Sequence, residues 1–243
     1  MFDELLRAIE QSIKSFSKFD RSKEISRIHK DNMFNKGHSV LLSSFDEINT
    51  LANRLGSNIV TWVEQERKVQ NMPAWKNTKS GKYPDEVQIE MRKSDQLMRE
   101  VKVDFKALYL FSKIFLDKYA KFIHYINPAN NIKSGTIEKF LNSIKDSKKE
   151  FYKEFIKKLG DTTDQILNKL TFYRNKKIEH AQILNEDIWF MNDMQGGISI
   201  QHVDRDNGEN VSTIKPQELL TIIKDFSETA SEFLLDNKSK IPR

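Results

Sequence analysis

The stretch "DEVQIEMRKSDQLMREVKVDFKALYLFSKIFLDKYAKFIHYI", residues 85 to 126, decides the fold of this chain. Its apolar residues recur at steps of three and four, which is the spacing of one face of an α-helix. This seam consists of Met98, Val101, Phe105, Leu108, Ser112, Phe115, Tyr119, Phe122 and Ile126. A second apolar strip beside it consists of Leu110, Phe111, Ile114 and Ile123. So wide an apolar face needs partners on two sides, so we expect this helix at the centre of a bundle or at a dimer interface.

The same periodicity predicts further helices before and after this stretch. They cover residues 2–18, 22–35, 38–70, 136–158 (one helix or a pair), 162–183 and 216–236. We expect Gly37 to break the chain between the second and third helices, and Gly160 to end the helix before residue 162. Asp161 then has the residue type of an N-cap. The tail after residue 236 is expected to fray.

One segment departs from the helical pattern. Residues 187 to 214 contain the β-rich runs "DIWFMND" and "ISIQHV", followed by the hairpin signal Asn207-Gly208, which predicts a small three-stranded meander. The prediction is therefore a single, mainly all-α domain over residues 1–243. It has N-terminal helices at 2–70, core helices at 85–185, the β-meander insertion at 187–214 and a C-terminal helix at 216–236.

The loop predicted at 71–84, "NMPAWKNTKSGKYP", is long for a connection between two helices. Its two Pro and one Gly prevent a continuous helix. Trp75 within it has two interpretations. The favoured one is that the indole covers the edge of the core, and the alternative is that it stacks on a substrate.

Composition limits the class of protein. The chain has 243 residues, a net charge of +5, only 8 Gly and 5 Pro, and no Cys. The low Gly and Pro content favours helices, and the absence of Cys excludes disulfides and thiolate metal sites. We expect neither a signal peptide nor a membrane span, because the N-terminus is acidic and no apolar run is long enough. These features predict a cytoplasmic protein whose mild basicity permits binding to nucleic acid.

The stretch "TFYRNKKIEHAQIL", residues 171 to 184, is where the sequence indicates chemistry. At about 100° per residue, Arg174 falls on the apolar stripe of its predicted helix. That stripe consists of Leu167, Leu170, Ile178 and Ala181. A guanidinium at such a position needs an anion. A core carboxylate, a carboxylate across an interface and a bound phosphate would each satisfy it.

Arg174, Asn175 and His180 together suit cleavage of RNA through its own 2′-hydroxyl. The Arg would bind phosphate, the Asn would orient the scissile group, and the His would act as general acid or base. No metal or other cofactor is required. The motif supplies one His, however, and such cleavage works best with two acid–base groups. A symmetric dimer would supply the second. The other histidines, His29, His38, His124 and His202, are interpreted as structural or surface residues.

The run "RNKKIEH", Arg174 to His180, resembles the motif of the HEPN superfamily (higher eukaryote and prokaryote nucleotide-binding). The run "VDFKALYLFSKIFLDKYAKFI", residues 103 to 123, resembles the long second helix of that family. The resemblance covers residues 85–185 and the final helix. It implies a helical bundle, a homodimer, a composite cleft made by two motifs, and metal-independent endoribonuclease activity. It further implies a bacterial toxin–antitoxin or phage-defence setting, in which an antitoxin is a possible partner.

Some roles stay open. Lys176 and Lys177 would attract phosphate, or would simply be solvated. Tyr173 would stack on a base, or would pack in the core. The second hypothesis for the whole chain is a non-catalytic helical module that binds RNA, a nucleotide or a protein partner through the Lys-rich face of residues 145–158. The third is a structural dimer whose meander, around Trp189 and Phe190, docks a partner.

Overall fold

A computed structural model describes seven parts of the chain, namely residues 1–18, 33–76, 83–171, 188–192, 198–203, 210–211 and 215–241. Within them the protein is mainly α-helical, as the sequence predicts. The predicted helix at 22–35 falls largely outside these parts. None of the described helices is both long enough and apolar enough to cross a lipid bilayer.

Eight α-helices are described. They are α1 (Asp3–Ser15), α2 (Met33–Asn71), α3 (Pro73–Lys76), α4 (Asp85–Ile126), α5 (Ile137–Lys145), α6 (Glu150–Leu159), α7 (Asp161–Asp164) and α8 (Pro216–Asp236). Short 3-10 turns follow α1 at Phe16–Lys18 and α8 at Lys238–Lys240. The bounds of α4 and α8 agree with the prediction, because their apolar periodicity starts after Pro84 and at Pro216, where proline favours the first turn. The predicted loop at 71–84 contains the four-residue helix α3.

Helix α4 is the central helix of the bundle. It packs along α2 over much of its length and also contacts α5 and α8. Its predicted seam is buried from Val101 to Ile126. Around Tyr119 the rings of Phe16, Phe115 and Phe226 meet edge to face, at centroid distances of 5.4 to 5.9 Å. The chain therefore covers most of this apolar seam itself, as expected of a helix at the centre of a bundle.

The predicted break at Gly37 is wrong, because α2 runs from Met33 through Gly37 without interruption. The reason is tertiary packing. A Cβ atom at residue 37 would lie 2.8 Å from Cδ2 of Phe122, so the absence of a side chain lets α2 approach α4 closely. Glycine here serves helix–helix contact rather than a turn.

Polar contacts join α2 to α4 at three positions along the two helices. Arg54 and Asn58 bind the buried carboxylate of Asp104, at 2.5 Å and 2.8 Å. About two turns further along α2, Glu66 accepts a hydrogen bond from the hydroxyl of Ser94 in α4. Glu90, whose side chain is 13% exposed, then accepts from three donors. These donors are Nε2 of Gln65 at 2.8 Å, Nζ of Lys68 at 2.7 Å and Nζ of Lys93 at 2.8 Å.

The segment predicted as one helix or a pair at 136–158 is the pair α5 and α6. Thr136 caps α5 by accepting from the backbone N–H of Lys139, and Asp117 of α4 accepts from the backbone N–H of Ile137 at 2.6 Å. Gly160 ends α6 with φ at +50°, in the left-handed region that favours glycine. The prediction that Asp161 is an N-cap is wrong. Asp161 is the first residue of α7, and Gly160 occupies the cap position.

The segment predicted as a meander contains three short strands, β1 (Ile188–Asn192), β2 (Ile198–Val203) and β3 (Asn210–Val211). They pair antiparallel in the order β1-β2-β3, with Phe190 opposite Ile200 and His202 opposite Val211. The predicted turns that would join the strands, including Asn207-Gly208, lie outside the described parts of the chain.

Helix α8 closes the bundle by packing against α1, α6 and α4. Its buried face includes Leu219, Ile223, Phe226 and Phe233. The tail beyond α8 was expected to fray, and this expectation is wrong as far as residue 241. The 3-10 turn after α8 leads to Ile241, which is 6% exposed and belongs to the core. A single apolar side chain thus holds the tail against the bundle.

Candidate functional site

The predicted catalytic residues Arg174, Asn175 and His180 lie outside the described residues, as do the predicted substrate-binding residues Tyr173, Lys176 and Lys177. The structure describes the chain that leads to them, as far as Thr171. The candidate site is therefore built from this approach and from the helices that contact it.

The segment that leads to the motif changes from an α-helix to a π-helix before Thr171. After α7, residues Gln165–Thr171 form a π-helix, called here the π turn. Ile166 and Leu170 in the π turn are fully buried. The π form is rare and is concentrated at functional sites, because it widens the helix and redirects the side chains that follow. The sequence pattern predicted an ordinary helix at 162–183 and contained no sign of this change.

Tyr109 of α4 anchors the last described residues of the π turn. The tyrosine is fully buried, and its hydroxyl donates to the backbone carbonyls of Lys169 at 3.0 Å and Leu170 at 2.9 Å. Buried carbonyls need donors, and here a side chain of the central helix supplies one. Sequence reasoning missed Tyr109, since its position on α4 indicated only that it belongs to a helix.

Two ion pairs connect the same segment to neighbouring helices. Lys169 of the π turn pairs with Glu218 in the first turn of α8. Lys145 at the end of α5 pairs with Asp164 of α7 at 3.1 Å. Both pairs are substantially exposed, so each contributes little to stability. Together with Tyr109 they connect α7 and the π turn to α4, α5 and α8.

The Lys-rich face of residues 145–158 is largely engaged within the protein. Lys153 lies 3.9 Å from Glu150, and Lys158 lies 3.5 Å from Glu232 and 3.6 Å from Asp236. With Lys145 also paired, half of the six lysines face acidic partners. This arrangement weakens the face as a continuous track for phosphates.

Lys149, a fourth lysine of this face, has turned inward. Its Nζ donates to Oδ1 of Asn127 and, at 3.2 Å, to the carbonyl of Pro128. It lies 5.8 Å from the centre of the Tyr152 ring, and burial lowers the pKa of its ammonium group. A cation beside the last residues of α4 interacts favourably with the negative end of the helix dipole, so Lys149 has a structural role.

His38 and His124 also have structural roles. The Nε2–H of His38 donates to the carbonyl of Ile13 at 3.0 Å and joins α2 to α1. The ring of His124 hydrogen-bonds with the hydroxyl of Ser134 at 3.0 Å and closes the turn after α4. Neither ring lies in a cluster that could hold a metal. Among all the residues that the structure describes, no three His, Asp or Glu side chains come together for that purpose.

A shallow cavity of about 440 Å³ lies on the α2–α4 pair. It is lined by Arg54, Asn58, Gln96, Arg99, Glu100, Val103 and Asp104. The side chain of Asp104 is only 5% exposed and both of its oxygens are bound, to Arg54 and to Asn58. The hydrogen bond with Asp104 raises the pKa of the Arg54 guanidinium. Because the carboxylate is already satisfied by two donors, it is poorly suited to act as a general base.

Trp75 does not belong to the core. Its indole is partly exposed and stacks on the ring of Tyr83, with centroids 4.8 Å apart and planes inclined by 5°. The favoured interpretation from the sequence, an indole that covers the edge of the core, is therefore wrong. The pair lies at the end of the α2–α4 hairpin, on either side of residues 77–82.

Comparisons of this chain with protein-family models, with curated proteins and with solved structures found no match.

Proposed function

We propose that this chain is a metal-independent endoribonuclease of the HEPN type that cleaves RNA through the substrate's own 2′-hydroxyl. The observation that carries the proposal is the run Arg174-Asn175-x4-His180, which begins three residues after Thr171. The approach to that run is anchored by Tyr109 and Lys169, on a π turn of the kind found at functional sites. The mainly helical bundle around a long central helix is compatible with the same family.

In the proposed mechanism, the permanent charge of Arg174 binds the scissile phosphate. Asn175 orients it. His180, as a neutral imidazole, takes the proton of the 2′-hydroxyl while the 2′-oxygen attacks phosphorus. The bond to the 5′-oxygen of the next nucleotide then breaks, and this oxygen receives a proton. The products are a 2′,3′-cyclic phosphate and a 5′-hydroxyl end, and no metal takes part in the step.

The proposal includes a homodimer. One chain provides one motif histidine, whereas the cleavage has one proton to remove and one to deliver. Two copies of the motif across a two-fold axis would provide both groups. By the family resemblance, we place the enzyme in the cytoplasm, in a bacterial toxin–antitoxin or phage-defence system where an antitoxin could block the site.

The experiment is cleavage of an end-labelled single-stranded RNA in EDTA by the wild type, Arg174→Ala and His180→Ala, with mass analysis of the new ends. Arg7→Ala is the matched control, because Arg7 is exposed on α1 and its charge change equals that of Arg174→Ala. We expect the wild type and the control to leave 2′,3′-cyclic phosphates, and both motif variants to lose at least about a hundredfold in rate.

Unchanged cleavage by His180→Ala would refute the role of the histidine. Loss of wild-type activity in EDTA, restored by added metal, would refute the metal-free mechanism. If a dimeric wild type cleaves nothing, the alternative gains support, namely a non-catalytic helical module that binds RNA, a nucleotide or a protein partner.

A further inference from the structure

We propose that two copies of this chain form an antiparallel dimer through an apolar strip on the outward face of α4. This strip, called here the outer strip, consists of Val103, Ala107, Leu110 and Ile114. The inference rests on the proposed function, which needs two copies of the motif, and it names the surface that joins them.

The outer strip faces away from the core. At about 100° per residue, its four members fall within a sector of about 60° whose centre lies about 140° from the buried seam of the same helix. Val103 is 62% exposed, and the other three are partly exposed. Their spacing of four, three and four residues is that of a helix packed against a second helix. Because outward positions of a bundle helix are ordinarily polar, this apolar row indicates a contact surface.

The outer strip is complementary to itself when two copies of α4 run antiparallel. A two-fold axis at the level between residues 108 and 109 places Val103 opposite the partner's Ile114. The same axis places Ala107 opposite the partner's Leu110. Each smaller side chain then meets a larger one, so the two helices can interdigitate over a length of about 17 Å.

The charges beside the outer strip favour a second copy as its occupant. In the same register, Glu100 lies level with the partner's Lys118, and both lie about 50° to one side of the strip. Arg99 lies level with the partner's Asp117, and both lie about 50° to the other side. An antiparallel two-fold pair brings equal sides together, so opposite charges meet on both sides of the strip. A parallel pair would instead bring each charge level with its own copy.

Glu100 and Lys118 bind neutral groups within a single chain. Glu100 is exposed and accepts from the side-chain amide of Gln96 at 3.3 Å. Lys118 is partly exposed and donates to the hydroxyl of Ser44 at 2.6 Å. Neither hydrogen bond cancels a charge. Ion pairs at the rim of an interface contribute more to specificity than to affinity, so we expect these charges to set the direction of the two helices while the strip supplies the apolar contact.

The same register relates the dimer to the π turn. Tyr109, which binds the carbonyls of Lys169 and Leu170, lies within about 1 Å of the level of the two-fold axis. By symmetry, the two π turns then lie at one level and on the same side of the helix pair. Two chains therefore reach Thr171 at matching positions, as a site built from both motifs requires.

The first test measures the dissociation constant of the dimer by sedimentation equilibrium at about 1 to 100 μM, where a micromolar constant is resolved. Val103→Glu places a carboxylate in the apolar contact and should raise this constant at least about tenfold. Val60→Glu is the matched control. Val60 is 48% exposed on α2, and it points about 160° away from Asn58, which binds Asp104 of α4. The control should dimerise like the wild type.

Charge reversal tests the pairing of Glu100 with Lys118. Glu100→Lys and Lys118→Glu each create two like-charged pairs per dimer, so each should raise the dissociation constant about tenfold. The double variant restores opposite charges and should dimerise within about threefold of the wild type. Circular dichroism checks that each variant is folded. A double variant as weak as the two single variants would contradict the pairing.

Disulfide trapping tests the antiparallel direction, because the chain has no Cys of its own. The register brings residue 103 next to the partner's residue 114, whereas the two copies of residue 103 are about 17 Å apart, as are those of residue 114. A disulfide needs Cα atoms within about 7 Å. Oxidation of a mixture of Val103→Cys and Ile114→Cys should therefore give a covalent dimer, and either variant alone should not.

The outcomes distinguish this inference from the proposed function. A wild type that stays monomeric at about 100 μM would assign the strip to a different occupant and would overturn the inference. So would a dimer that Val103→Glu leaves unchanged, or covalent dimers from either cysteine variant alone. A dimer with all the expected properties that cleaves no RNA would support the surface and refute only the nuclease. Cleavage by a monomeric Val103→Glu would refute the composite site and not the surface.

Discussion

Substitution Tyr109→Phe tests whether the π turn depends on its anchor. The change removes one oxygen from a fully buried ring, and it leaves the carbonyls of Lys169 and Leu170 without this donor. A buried hydrogen bond contributes about 0.5 to 1.5 kcal/mol net. One hydroxyl hydrogen is shared between two carbonyls here, so we expect a loss of about 1 to 2 kcal/mol rather than twice the upper value. For a chain of this size that corresponds to a decrease in Tm of about 2 to 8 °C.

The assay combines urea unfolding, followed by circular dichroism, with the RNA cleavage assay in EDTA. Tyr109 holds the carbonyls of Lys169 and Leu170, and the proposed motif begins four residues later at Arg174, so we expect the cleavage rate to fall more than the lost stability explains. At a temperature where more than about nine-tenths of the variant is folded, unfolding alone would reduce the rate only slightly.

Tyr119→Phe is the matched control, because it makes the same chemical change on the same helix. The hydroxyl of Tyr119 is also buried, and it donates to the carbonyl of Ser227 in α8 at 3.2 Å. We expect this variant to lose stability but to cleave at the wild-type rate. Equal effects of the two variants on cleavage would refute the special role of Tyr109, and an unchanged stability of Tyr109→Phe would refute the energetic argument.

Two further predictions concern the α2–α4 pair. Gly37→Ala should destabilise the protein by about 1 to 3 kcal/mol, since its Cβ would clash with Phe122, whereas Gly56→Ala on the same helix meets its nearest atom at 3.6 Å and should stabilise it by about 0.5 to 1 kcal/mol. Equal effects in thermal unfolding would contradict the close approach. The three donors around Glu90 lower the pKa of its carboxyl to about 2, below the unfolded value of about 4.3. The stability that this carboxylate contributes is therefore complete above that unfolded value and is lost as the pH falls toward 2. The difference in urea midpoint between the wild type and Glu90→Gln should shrink over this window, and a constant difference would count against the assignment.

Sequence periodicity was sufficient to predict those helices whose bounds depend on the local sequence alone. The bounds of α4 and α8 follow from their apolar spacing and from the prolines at their starts, whereas the same spacing left open whether residues 136–158 form one helix or the pair α5 and α6. Gly37 was misread because its role depends on Phe122, which is 85 residues away in the sequence. A rule that considers only the residues next to a glycine cannot predict such a contact.

The candidate site was predictable only in part, for a similar reason. The sequence indicated which residue types could cleave RNA, and those residues stay a prediction. It could not indicate the π turn, because two buried residues spaced four apart, Ile166 and Leu170, fit one face of either helical form. Nor could it show that Tyr109 contacts Lys169, or that Trp75 meets Tyr83, because both contacts depend on how distant parts of the chain are brought together.

The packing of α1 against α8 has a consequence for synthesis on the ribosome. The two helices are separated by about 200 residues, so α1 emerges long before its partner exists. At about 5 to 20 residues per second, its apolar face waits roughly 10 to 40 s for α8. During that interval Ile9, Ile13 and Phe16, all fully buried in the finished protein, lack part of their cover. The nascent chain therefore exposes apolar helical surface that the finished protein covers.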